Sequence, residues 1–123
     1  MIRISADCSA HPALFLTAQG HSGHAAPGQD IVCAGISAII NALGFWLSKQ
    51  SGRLCPGETV LDFAKGSAVV RCVPKNADRE IVLQMFKFAM DGISLIAGEY
   101  PECVEIKNIK LQKGGQFRPN MHA

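Results

Sequence analysis

The five cysteines never form a Cys-x-x-Cys pair, and their number is odd. That spacing argues against a zinc knuckle or a thioredoxin-type redox motif. Basic residues form no block: 12 Lys and Arg stand against 10 Asp and Glu, scattered along the chain, and aromatic residues make up only 7%. A nucleic-acid reader carries a clustered basic face, so no direct nucleic-acid partner is expected. The longest apolar stretch, Ile36 to Leu47, is broken by Ser37, Asn41 and Gly44 and reads as too short to span a bilayer. The start, Met1 to Asp7, reads as a strand and lacks the long apolar core of a signal peptide. Together these absences lead us to expect a soluble protein of the reducing cytoplasm, its thiols free and no membrane involved.

What is present suits one globular domain. The chain has 123 residues, 48% hydrophobic and 18% charged, enough for a single core. Ile2 and Ile4 alternate with polar neighbours as a first strand, and Leu14 to Ala18 form a second after the turn around His11-Pro12. Gly20 to Gln29 holds three glycines and a proline and reads as a mobile loop. Asp30 is a suitable N-cap for a helix to about Gln50, with Val32, Ile36, Ile39, Ile40, Leu43 and Leu47 at helical spacing. Thr59 to Phe63 and Ser67 to Cys72 read as a hairpin about Ala64-Lys65-Gly66. A second helix, about Ala77 to Ala97, is expected to bury Ile81, Val82, Met85, Phe88, Ala89, Ile93 and Ile96; Val104 to Lys110 alternates as a last strand. The order ββαββαβ implies an α+β fold, a mainly antiparallel sheet packed with two helices. We expect the domain to span residues 1–112, with a disordered tail at 113–123.

Chemistry concentrates between Gly20 and Gly35. If Asp30 caps the helix, Cys33 is its third residue, near the unpaired amides of the first turn and the positive end of the helix dipole. That setting favours thiolate over thiol. His21, on the loop twelve residues upstream, could fold back to pair with the sulfur and later protonate a leaving amine. Free amides near Val32 and Cys33 could hold an oxyanion. The plainer reading of a cysteine in an apolar helix is a small core residue, but a first-turn position after a glycine-rich loop is less often deeply packed. Cys8, Cys55, Cys72 and Cys103 lack that setting and read as structural. His24 could replace His21 as the base. A His21–His24–Cys33 metal site would offer three ligands where structural zinc takes four, so no metal is expected. Ser37, one turn on from Cys33, either lines the cleft or bonds back to a helix carbonyl. Asn41 is a tempting third triad member, yet eight residues of helix span about 12 Å, too far to touch the sulfur.

The run Gly20-His21, the twelve-residue gap, then Gly28-Gln29-Asp30-Ile31-Val32-Cys33-Ala34-Gly35, with Ser37 and Ala38 following, resembles the ribosomal-processing cysteine proteases, the Prp (YsxB-like) family. The family pattern is Gly-His-Ala, a variable glycine-containing loop, then Gly-x-Asp-Ile/Val-Val-Cys-Ala. Ser22 departs from it after the histidine, and Lys65 to Cys72 lacks the Gly-Gly and aromatic character common among relatives. The resemblance implies a homodimeric cytoplasmic cysteine endopeptidase. Its expected substrate is the N-terminal extension of one large-subunit ribosomal protein, the twenty-seventh of the L series, removed as the ribosome matures. It implies Cys33 as nucleophile and His21 as base and acid, with Asp30 and Ser37 at further family positions, and no metal or organic cofactor. A loop hinged at Gly23 and Gly28 would bring His21 onto Cys33 when peptide binds. The alternative is a non-catalytic ribosome-associated binding protein whose cysteine is packing.

Overall fold

The computed structural model describes residues 1–9, 11–21 and 30–111. Its elements are β1 (Ile2–Asp7), β2 (Leu14–Gln19), α1 (Ile31–Ser48), β3 (Val60–Ala64), β4 (Ser67–Cys72), α2 (Arg79–Glu99) and β5 (Val104–Lys110). The expected α+β order ββαββαβ is the observed one. The tail read as disordered, 113–123, lies outside the described residues, as do Gly23, His24 and Gly28.

The strands form one sheet in the order β3-β4-β2-β1-β5. All neighbours are antiparallel except β1 and β5, which run parallel. Alternation sends Ile2, Ile4, Ala6, Leu14, Leu16, Ala18, Val70 and Cys72 into the core, where they meet the apolar stripes of both helices. Arg3, Gln19, Ser5 and Thr17 are the more exposed residues between them. In β5 the period of two is broken: Ile4 pairs with Ile106 but Ala6 with Ile109, so an extra residue is accommodated and Ile109 also turns inward.

α1 buries Val32, Ile36, Ile40, Leu43 and Leu47, the spacing expected, with Ile39 half-buried. By length and composition, both helices are apolar enough to cross a bilayer, which corrects the reading taken from Ile36 to Leu47 alone. In the fold, their buried faces supply the core. α2 also departs from expectation. It follows a 3₁₀ turn at Asn76–Asp78, and its buried stripe runs through Val82, Leu83, Phe86, Ala89, Met90 and Ile93. Ile81 and Phe88 are exposed instead. Phe88 lies two residues past Phe86, about 200° round the helix, and so faces away from the sheet.

Candidate active site

The helix begins where Asp30 caps it. The Asp30 carboxylate accepts a hydrogen bond from the Cys33 amide at 3.0 Å, and the Asp30 carbonyl accepts one from Ala34 at 3.2 Å. This is the side-chain cap that a first-turn amide needs. It also corrects one expectation: the Cys33 amide is engaged by the cap rather than held open for an oxyanion. Cys33 itself is half-buried, on the side of α1 that lines an open cavity of about 300 Å³.

His21 reaches the same cavity from the sheet. It stands two residues beyond the end of β2, between the starts of β1 and β4. On one side the Met1 ammonium donates to the His21 carbonyl. On the other, the β2–β4 ladder continues one residue past Gln19↔Ser67, with the Gly20 amide donating to the Gly66 carbonyl at 2.9 Å. Gly20 has φ +99°, and a β-carbon there would stand 2.3 Å from the Met1 carbonyl oxygen. Only glycine meets both conditions.

Cys33, His21, Asp30 and Ser37 therefore share one cavity, as their assignment to one site requires. Ser37 is exposed and lines the cleft, and its backbone carbonyl accepts from the Asn41 amide at 2.7 Å. Asn41 also lines the cavity, about 12 Å along the helix axis from Cys33. The opposite wall includes part of the Lys65 to Cys72 segment, which the family resemblance singles out as a strand that would hold the peptide. It is the tip of the β3–β4 hairpin, Phe63 to Ala68, together with Ile2 and Ala18. The Lys65-Gly66 turn was legible as a turn, but its place against His21 follows from the pairing of β2 with β4.

Electrostatics separates the thiols. Burial pushes Cys8 up to about 11, with a smaller contribution from Asp7, and pushes Cys72 up to about 12, helped by neighbouring Cys8. Cys103 is raised by burial, then by Glu102 and Asp30. All three are held in the neutral, unreactive form. Among the described residues, no group of three His, Cys, Asp or Glu side chains could hold a metal ion; the weighed His21–His24–Cys33 set includes a residue outside them.

A half-exposed first-turn thiol and an imidazole facing one open cleft is an arrangement suited to acyl transfer. The pattern of the family described as cysteine protease Prp matches residues 1–105. The chain belongs to this family. It is accordingly a cysteine protease, which decides against the non-catalytic binding module. Among solved structures, the chain is similar to the essential ribosomal processing protease Prp from S. aureus in complex with a covalently linked product peptide. The TM-score is 0.71 at 21% identity, covering 88% of this chain and 99% of that one. It is also similar to SMU.848 from Streptococcus mutans, with TM-score 0.63, 23% identity, and 89% and 95% coverage. At such identities these likenesses establish the fold. No curated protein sequence matches the chain.

Proposed function

We propose that this Prp-family protease removes the N-terminal extension of a large-subunit ribosomal protein, the twenty-seventh of the L series, with Cys33 as nucleophile and His21 as general base and acid. The observation that carries the reading is that the two side chains, from the mouth of α1 and the end of β2, line one open cavity. Support for a ribosomal substrate comes from the fold shared with the S. aureus ribosomal processing protease and from the Gly20-His21 and Asp30-Ile31-Val32-Cys33-Ala34 motifs.

In the proposed reaction, His21 takes the thiol proton as Cys33 Sγ attacks the scissile carbonyl carbon. The resulting oxyanion falls to the first-turn amides of Ile31 and Val32, since that of Cys33 is engaged by Asp30. The C–N bond breaks as His21 returns the proton to the leaving amine, which departs as the new N-terminus. Water, deprotonated by His21, then cleaves the thioester and restores the thiol. Asp30 holds the helix mouth in shape, and Ser37 meets the bound peptide one turn further on. Incubating the enzyme with a peptide spanning the extension should give two fragments. Cys33→Ala should lower that rate by at least about 10⁴-fold while the protein stays folded; retained cleavage would refute the nucleophile.

We place the enzyme in the cytoplasm as a homodimer. An apolar surface across both helices, with Ile39, Met85, Phe88 and Leu95 lining a hollow of about 400 Å³, supports self-association. Phe88 is 74% and Leu95 64% exposed, an unusual outlay of apolar surface for a lone domain. Light scattering should give twice the chain mass for the wild type and the single mass for Phe88→Glu. A monomeric wild type would end this part of the proposal.

A further inference from the structure

Gly66 and Gly57 hold nearly the same backbone conformation in two described turns. The φ of +77° at Gly66 closes the tight β3–β4 turn, which favours glycine, as does the φ of +78° at Gly57. The two differ in what surrounds them. A β-carbon at Gly57 would meet nothing within 4 Å, whereas one at Gly66 would stand 2.8 Å from His21 Nε2 and 3.0 Å from Cε1. The imidazole thus lies against the bare face of the turn glycine, while the Gly20 amide ties the residue before His21 to the carbonyl of that glycine. The ring and the backbone leading to it both meet one turn residue.

We propose that Gly66 is a positioning residue for the protease reaction. The bare backbone of the β3–β4 turn is the seat that sets the His21 imidazole in the cavity facing Cys33, and a side chain there unseats it. The inference rests on His21 being the base. It makes the hairpin part of the catalytic apparatus rather than a connection between strands. A ring displaced by a β-carbon must move by several tenths of an ångström or rotate, and proton transfer is sensitive to misplacement on that scale.

The test compares Gly66→Ala with Gly57→Ala in the full chain, using the extension peptide as substrate. Both variants carry the same left-handed backbone strain, so both should melt a few degrees below wild type. Only Gly66→Ala should lose kcat, by about 10²-fold, with KM changed by no more than about twofold. The pH profile of Cys33 alkylation by iodoacetamide should also change in Gly66→Ala and not in Gly57→Ala. The Met1 ammonium at the His21 carbonyl and the cavity-lining Asp30 and Lys65 are the same in both variants, so such a change reports the imidazole's displacement. Should Gly66→Ala fail to fold, Gly66→Asn carries the test, because asparagine visits left-handed backbone more readily. Wild-type kcat in the folded Gly66 variant, or equal losses in the two alanine variants, overturns the proposal. An active His21→Ala would instead sink the assignment of the base, which separates the two failures.

Discussion

Two regions of this small domain hold cysteine in opposite ways. At the end of β1 and the end of β4, Cys8 and Cys72 are 2% and 0% exposed, packed among the strand residues of the core. At the mouth of α1, Cys33 is half-buried and opens onto a cleft. The first setting desolvates a thiolate, and that burial outweighs the Phe15 amide and the cations Arg71, Arg79 and Lys87 that would favour one. The second offers the positive end of an eighteen-residue helix and an imidazole in the same cavity. The difference teaches that place separates the two settings, because the residue type is the same in both.

The sharpest way to break that contrast is alkylation. With iodoacetamide at neutral pH, Cys33 should react at least about 10²-fold faster than Cys8 or Cys72 in the folded protein, since only the thiolate reacts and both buried thiols are held protonated. Peptide mapping against time reads this directly, and uniform labelling of all three would collapse the distinction. A smaller effect sharpens it. Cys55 is half-buried like Cys33 but lies between the end of α1 and β3, lining a different hollow. If access alone set the rate, the two would label together. Placement at a helix N-terminus facing His21 predicts that Cys33 leads by about tenfold, a lead that should shrink in His21→Ala.

How much of this was legible beforehand follows the range of the interactions. Asp30 as cap, Cys33 at the third helical position and the α1 stripe are local, and Asp30 does bond the Cys33 amide. The hairpin was legible from Gly66 and the flanking β-branched residues. Phe88 was misjudged because an apolar residue near the helical period resembles core until the phase of the buried face is known. The bulge that turns Ile109 inward depends on the parallel partner β1, which lies about a hundred residues away in the chain. The place of the hairpin turn against His21 was invisible for the same reason. Nothing near Gly66 in the sequence mentions His21, and only the pairing of β2 with β4 brings them together.

The last effect of the comparison is thermodynamic. Cys8 and Cys72 have folded values of about 11 and about 12 against an ordinary 9.0. Between those limits the native state holds protons that the unfolded chain has released, so unfolding becomes easier as pH rises. The contribution of keeping these thiols neutral is complete below pH 9 and declines above it, by up to about 1.4 kcal/mol per pH unit for each thiol. Urea melts at pH 8, 9, 10 and 11 should therefore show stability falling through the upper half of the series. Cys72→Ala should start lower, because it leaves a small void in the core, yet lose less between pH 9 and 11 because one of the buried thiol protons is gone. An alkaline slope identical in the wild type and Cys72→Ala would mean that ionisation of the buried thiols does not govern it.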